Sequence, residues 1–184
     1  MNTHRPPAPS APFARPRLWS DLRTTDFAAL DPTSTIAVLP VSATEQHGPH
    51  LPLSTDAVIN DGVLREAIAR LPGATASSVL VLPPLAVGDS LEHSAFSGTV
   101  SIDSDALMGM WLSVGRSVAR AGVRKLVIFN THGRQKAHVD MVTLRLRVQV
   151  AYLGFQGLEL VLRQLQPRQF DLQGDLQLMP QRLA

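Results

Sequence analysis

Residues 44–56 place one glutamate, two histidines and one aspartate in a segment that cannot form regular secondary structure. They read Thr44-Glu45-Gln46-His47-Gly48-Pro49-His50-Leu51-Pro52-Leu53-Ser54-Thr55-Asp56. The glycine and the two prolines interrupt both helix and strand. The apolar run at 35–41 predicts a buried strand before this segment, and the apolar spacing at 58–71 predicts a helix after it. In open α/β sheets, ligands bind in such loops, just beyond the carboxyl ends of the strands.

The side chains of this loop are of the types that bind a divalent metal in an enzyme, which are imidazole and carboxylate. Glu45 and His47 are two residues apart, so in an extended segment both point to the same side. Asp56 returns from the far end of the loop, and each of its two oxygens can hold one ion. His132 follows a second β-type apolar run, at 125–129. If the two strands are parallel neighbours, His132 meets the other three residues, and together they form a metal site. The alternative is that these are ordinary solvated loop residues.

Three motifs extend the pattern beyond this loop. They are Pro40-Val41-Ser42-Ala43 leading into residues 44–56, then Gly88-Asp89-Ser90-Leu91-Glu92-His93 with Phe96-Ser97-Gly98-Thr99, then Asn130-Thr131-His132-Gly133. In order and spacing they resemble the creatininase (creatinine amidohydrolase) family, and the resemblance runs from about residue 18 to residue 149. It implies an α/β fold, a three-layer α/β/α sandwich with a mainly parallel sheet. It also implies a metal-dependent hydrolase of cyclic or linear amides, with one or two Zn²⁺ or Mn²⁺ ions, often assembled as a homo-oligomer, typically a hexamer.

Residue by residue, the resemblance makes Glu45, His47, Asp56 and His132 metal ligands, with Asp56 as the bridge between two ions. Ser90 matches a substrate-contacting serine. We assign His93, in the same loop, to the catalytic pocket, mostly because of the resemblance. The alternative for His93 is a hydrogen bond within its own loop.

The sequence departs from the family pattern after the second metal-binding histidine. Arg134 stands where creatininase proper has a metal-binding glutamate, and a guanidinium cannot ligate a metal. We expect Arg134 to be solvated, and we expect His138, on a helix at 136–149, to lie at the surface. Relatives without that glutamate take a late ligand from a downstream segment with His and Glu, which this sequence lacks.

Composition excludes several classes of function. The chain has 184 residues, 45% hydrophobic residues, a net charge of +2 and no cysteine. This charge is too small to indicate binding to nucleic acid or to a membrane surface, and no run is long enough to span a bilayer. The absence of cysteine excludes disulfides and thiolate chemistry. We expect a cytoplasmic protein with a small-molecule amide as its partner.

We expect three regions along the chain. Residues 1–17 form a disordered tail rich in proline and alanine, residues 18–149 form the α/β domain, and residues 150–184 form an atypical segment rich in glutamine and leucine. Glutamine rises from 2 in the first 148 residues to 8 in the last 36, which suggests truncation or a shifted reading frame. Within the domain, further elements are predicted: a helix at 18–30, a strand at 79–82, and helices at 104–121 and 136–149.

Two functions from different classes follow from this sequence. The first is a metal-dependent amidohydrolase that acts on a non-peptide C–N bond by metal-activated water, although creatinine, a formylated pyrimidine intermediate and a short peptide are all within the family's range. The second is a catalytically impaired family remnant that serves as a metal-binding or assembly subunit. A sugar- or nucleotide-binding module is disfavoured, because the sequence has no glycine loop to cradle a phosphate.

Overall fold

The computed structural model describes residues 17–152, 159–160 and 163–164. The tail predicted at 1–17, apart from its last residue, and most of the segment at 150–184 lie outside these described residues. The strands and helices are, in chain order, β1 (Arg17–Leu18), β2 (Ile36–Val41), α1 (Thr55–Ala69), α2 (Gly73–Ser78), β3 (Val79–Val81), α3 (Ser104–Arg120), β4 (Lys125–Asn130), α4 (Lys136–Tyr152), β5 (Glu159–Leu160) and β6 (Arg163–Gln164).

The strands form one parallel sheet in the order β1-β3-β2-β4-β5, with β6 also paired to β4. The central pair, β2 and β4, is in register along its whole length, from Ile36 opposite Lys125 to Val41 opposite Asn130. Both strands therefore end at the same height, and the loops that follow them leave the sheet side by side. This confirms the parallel neighbours on which the predicted metal site depends.

Helices cover both faces of the sheet, as the alternation of side chains along β2 requires. Ala37, Leu39 and Val41 face one core, together with Trp111 of α3 and Leu146 of α4. The intervening Val38 faces a second, smaller core with Ile68, Ala76, Val79 and Val81 of α1, α2 and β3. Partly buried residues of β2, α1 and β4 pack against it: Ile36, Leu64, Val127 and Phe129. The predicted three-layer α/β/α sandwich is thus confirmed.

Hydrogen bonds join the loops at the carboxyl edge of the sheet. The Val100 N–H donates to the Thr44 carbonyl over 2.9 Å, and the Thr44 hydroxyl donates to the Ala86 carbonyl over 2.7 Å. From α1, the buried Asn60 amide donates to the carbonyls of Val41 and Phe129, each over 3.0 Å. The loops that carry the predicted ligands are therefore fixed relative to one another and to the sheet.

The prediction at 18–30 is wrong, because this stretch forms two short 3-10 turns, Trp19–Asp21 and Thr24–Ala29, instead of one helix. The Asp26 carboxylate accepts the Arg23 N–H over 2.8 Å, so a new turn starts where a continuous helix would need Arg23 to bond backward. The other predicted elements agree with the structure to within about three residues, and α2 was not predicted. No helix in the described part of the chain has the length and apolar character needed to cross a bilayer.

Candidate metal centre

Three of the predicted ligands meet in a buried cluster at the carboxyl edge of the sheet. Glu45, Asp56 and His132 are each no more than 6% exposed. His132 Nδ1 lies 3.2 Å from Glu45 Oε1 and 3.1 Å from Asp56 Oδ2. One ligand atom from each residue lies within 4.8 Å of the others, which is close enough to surround one ion. Asp56 sits in the first turn of α1, where the helix dipole favours negative charge.

The fourth predicted ligand, His47, contacts the other oxygen of Asp56. Its Nε2 lies 3.1 Å from Asp56 Oδ1, and its Nδ1 lies 3.1 Å from the Glu45 carbonyl oxygen. A carbonyl can only accept, so the Nδ1 of His47 carries the proton and donates it. The lone pair of Nε2 then faces Asp56. The two oxygens of Asp56 therefore face two different histidines, as a bridging carboxylate would.

His132 is oriented in the same way through its opposite nitrogen. Its Nε2–H donates to the Asp89 carbonyl over 3.0 Å, which leaves Nδ1 turned toward the two carboxylates. Burial alone would lower the pKa of His132. The hydrogen bond to Asp56, the Asp89 carbonyl and the charge of Glu45 together outweigh burial and raise the pKa above its ordinary value. The carboxylates thus favour a positive charge at this position, which can be a proton or a metal ion.

The residues present fit a divalent ion of the zinc or manganese type. Two imidazole nitrogens and two carboxylates converge, and this is a donor set that both metals accept. Glu45 Oε2 is buried and accepts no hydrogen bond from the described part of the chain. A buried carboxylate oxygen without a partner is costly, and a cation in the cluster would satisfy it.

His93 lies beside the cluster but does not join it. Its Nε2 is 4.0 Å from Glu45 Oε2, and its Nδ1 is 3.1 Å from the Gln46 side-chain nitrogen. Ser90 is fully buried, and its hydroxyl has no hydrogen-bond partner among the described residues. The second histidine of the first motif, His50, is exposed and contributes nothing to the cluster. The catalytic role of His93 and the substrate contact of Ser90 stay predictions.

A polar cluster behind His132 was not predicted from the sequence. The buried carboxylate of Asp89 accepts a hydrogen bond from Ser104 and lies 3.3 Å from His138 Nε2. Burial alone would raise the pKa of Asp89. The hydrogen bonds from Ser104 and the Leu91 N–H outweigh it, with the charges of Arg134 and His138, so the pKa lies below its ordinary value. This cluster fixes the segment whose carbonyl orients His132.

The expectation that His138 lies at the surface is wrong, because its side chain is only 13% exposed and faces Asp89 from α4. Arg134 is exposed, as expected, with 39% of its side chain accessible, but its Nε also lies 2.9 Å from Glu92 Oε2 and 3.5 Å from Asp89 Oδ1. The carboxylates that these two side chains face belong to the loop after β3, and sequence spacing does not reveal this contact across the edge of the sheet.

A cavity of about 550 Å³ lies on the other side of the β2 terminus, between α1 and the end of β3. It is lined mainly by apolar groups such as Pro40, Leu64 and Val81. None of the four predicted ligands lines it. The cavity and the carboxylate–histidine cluster are therefore separate features of the structure.

Comparison with known proteins connects this geometry to a family. Residues 20–177 match the family model Creatininase, described as creatinine amidohydrolase. A mycofactocin precursor peptide peptidase of Mycobacterium tuberculosis H37Rv is 41% identical over 117 residues, which are 61% of this chain and 46% of that protein. A creatinine amidohydrolase of Pseudomonas putida is 31% identical over 132 residues, which are 68% of this chain and 48% of that protein.

Solved structures agree with the sequence matches. A manganese form of creatininase superposes with a TM-score of 0.71 at 25% identity, covering 92% of this chain and 66% of that one. A zinc–zinc form of a creatininase variant also gives a TM-score of 0.71 at 25% identity, covering 82% of this chain and 58% of that one. The chain spans about half the length of the curated relatives it matches.

Proposed function

The chain belongs to the creatininase family, and we propose that it is a hydrolase of amide C–N bonds that works with a divalent ion at Glu45, Asp56 and His132. His47 is the proposed fourth ligand, and Asp56 is the proposed bridge if a second ion binds. Zinc and manganese are the proposed metals, since both occur in the related creatininase structures.

One observation carries this proposal. In both His47 and His132, one ring nitrogen donates to a backbone carbonyl, and the other faces a buried carboxylate at 3.1 Å. Backbone carbonyls thus fix each ring in the orientation that a metal needs. Two carboxylates packed this closely without a cation would repel each other in a buried environment.

The chemistry divides between the ion and the side chains. A divalent ion supplies a Lewis acid, which lowers the pKa of water and polarises an amide carbonyl. The chain's own residues orient the ligands. The Asp89 carbonyl fixes the ring of His132, and the Glu45 carbonyl fixes the ring of His47. His93, at the open side of the cluster, is the proposed contact for the substrate.

The substrate class is an amide, either in a small molecule or in a peptide. The relatives at about 40% identity are named for a peptide precursor and the relative at 31% for creatinine. A catalytically impaired, metal-binding protein is the second candidate. It is favoured by Arg134, whose guanidinium holds Glu92 beside the cluster and places a positive charge there.

Metal content separates the proposal from its alternatives. Purified protein is supplied with Zn²⁺ or Mn²⁺, dialysed and analysed for metal, beside Glu45→Ala and His132→Ala. Matched controls are Glu66→Ala, whose carboxylate pairs with Arg70 on exposed α1, and His50→Ala in the same loop. We expect wild type and both controls to retain metal and the two cluster variants to lose it. Wild type that stays empty would refute the metal centre.

Activity is then tested on creatinine and on the mycofactocin precursor peptide, the two substrates for which the relatives are named. Turnover of either by loaded wild type, and not by His132→Ala, supports the hydrolase. Bound metal without turnover of either substrate favours the impaired family member. A homo-oligomeric assembly is also proposed, and light scattering on the purified chain tests it.

A further inference from the structure

We propose that Gln46 is a positioning residue that fixes His93 as a hydrogen-bond donor, with its Nε2–H turned toward the metal cluster. The three histidines near the cluster then have two different roles. In their neutral forms, His47 and His132 turn a lone pair toward the carboxylates and suit a metal, whereas neutral His93 turns an N–H and does not. The contact with substrate that this implies rests on the proposed function, but the orientation of the proton does not.

The assignment follows from a chain of hydrogen bonds that starts at the backbone. The Gly48 N–H can only donate, and it lies 2.7 Å from the Gln46 side chain, so the group that it meets is the amide oxygen. The Gln46 NH₂ group is then turned to the other side, 3.1 Å from His93 Nδ1. An NH₂ group can only donate, so Nδ1 accepts. In the neutral ring, the proton must therefore sit on Nε2.

Further contacts hold this hydrogen-bonded relay, Gly48–Gln46–His93, in place from both loops that contribute to it. The Gln46 N–H donates to the Thr99 hydroxyl over 3.1 Å, which joins its backbone to the loop that carries His93. The His93 ring meets the Phe96 ring edge-on, with centroids 6.1 Å apart. Gly48 has a φ of +75°, a conformation that glycine adopts without strain.

The relay explains why a second group of possible ligands is not equivalent to the first. Glu45, Glu92 and His93 also bring ligand atoms within 4.8 Å of one another. However, the nitrogen that His93 offers carries a proton, and Glu92 is already paired with Arg134 at 2.9 Å. A nitrogen that carries a proton must lose it, or pass it to the other ring nitrogen, before it can bind a metal, and the Gln46 NH₂ group disfavours a proton on Nδ1. The Nε2–H of His93 can instead donate to an oxygen that gains negative charge during attack on an amide carbonyl.

Gln46→Glu tests the relay with a change of nearly the same shape. One oxygen of the new carboxylate still accepts the Gly48 N–H, and the other faces His93 Nδ1. Because a carboxylate can only accept, the proton should move to Nδ1, and the lone pair of Nε2 should face Glu45. Gln149→Glu makes the same chemical change on α4, where Gln149 contacts Arg116, and is the matched control.

The first measurement is ¹⁵N NMR of histidine-labelled, metal-free protein at about pH 8.5, two units above the ordinary histidine pKa of about 6.5. The His93 signals are assigned by their loss in His93→Gln. We expect protonation at Nε2 in wild type and in Gln149→Glu, and at Nδ1 in Gln46→Glu. Protonation at Nδ1 in wild type, or the same tautomer in wild type and Gln46→Glu, would overturn the proposal.

The second measurement is zinc stoichiometry by elemental analysis after dialysis. Gln46→Glu should bind about one Zn²⁺ per chain more than wild type, and Gln149→Glu should match wild type. An unchanged count in Gln46→Glu would overturn the claim that the tautomer keeps an ion away from His93. Wild type that binds no zinc counts against the proposed function, while the NMR result still decides the tautomer.

Discussion

Metal binding to this protein should release a proton from His132. In the metal-free cluster, the Nε2–H of His132 donates to the Asp89 carbonyl, and Nδ1 lies between Glu45 and Asp56 at 3.2 and 3.1 Å. Burial opposes a charged ring here, but the hydrogen bond to Asp56, the Asp89 carbonyl and the charge of Glu45 outweigh it, so the pKa of His132 is raised. Below the folded-state pKa of His132, Nδ1 therefore holds a proton in the place that the ion would take.

The size of the effect follows from that single proton. Below the folded-state pKa of His132, each ion bound displaces about one proton from this ring, so affinity should rise about tenfold per pH unit, or about 1.4 kcal/mol. Above that pKa, the contribution of His132 should disappear. Stability without metal should change in the opposite sense. A raised histidine pKa stabilises the fold fully below about pH 6.5, and this contribution is lost as the pH rises through the folded-state value.

Isothermal titration calorimetry measures the proton directly. Zinc is titrated into metal-free protein at about pH 6, just below the ordinary histidine pKa of about 6.5, in buffers of different ionisation enthalpy, and the slope of heat against that enthalpy counts protons. We expect about one proton from His132, the same count in His50→Asn, and loss of tight binding in His132→Asn. Tight binding with no proton released, or an unchanged titration of His132→Asn, would refute this account of the cluster.

Three further outcomes are expected. Gly115→Ala should lower the free energy of unfolding by about 1 kcal/mol in urea titration, because a Cβ there would lie 2.5 Å from Leu146 Cδ1. Gly109→Ala, on the open face of the same helix, should raise the free energy of unfolding by about 1 kcal/mol, because alanine favours a helix more than glycine does. Asn60→Ala should cost about 1–3 kcal/mol in the same assay, because it removes the side-chain donor from the carbonyls of Val41 and Phe129 near the ends of β2 and β4. The pKa of Asp89 is lowered, so its carboxylate should stabilise the fold above about pH 3.8. This stabilisation should be lost as the pH falls through the folded-state pKa of Asp89. In Asp89→Asn, the melting temperature should therefore fall less steeply with decreasing pH than in wild type.

The fold was predictable because its central strands are short apolar runs with clear ends. The strand predicted at 35–41 is β2, and the run at 125–129 is β4. The first leads into a loop with a glycine and two prolines, and the second into a turn that contains Gly133. The stretch at 18–30 was not predictable in this way. Its apolar spacing suits a helix, but a local bond between Asp26 and the Arg23 N–H divides it. A local side-chain hydrogen bond of this kind can outweigh the apolar periodicity of a segment that does not pack as a helix in the core.

The candidate site was predictable only as far as its ligands. Four residues of metal-binding type follow two strand ends, and the sheet brings them together. The residues that orient them are less visible, because they act through the backbone or across long separations. The Asp89 carbonyl that fixes His132 lies 43 residues away in sequence. His138 and Arg134 lie within 3.5 Å of the buried Asp89 carboxylate, and no spacing rule reveals which side chains will pair with it.

The three histidines around this cluster show why residue type alone does not define a site. His47 donates through Nδ1 to a carbonyl, so Nε2 is free for an ion. His132 donates through Nε2 to another carbonyl, so Nδ1 is the nitrogen that an ion can take once its proton has left. His93 accepts at Nδ1 from Gln46, so its remaining nitrogen carries a proton. In each ring, the partner on one side sets the chemistry on the other. A backbone carbonyl leaves the opposite nitrogen available to a metal, and an amide NH₂ leaves the opposite N–H available to donate, so histidine can fill both roles that the proposed function requires.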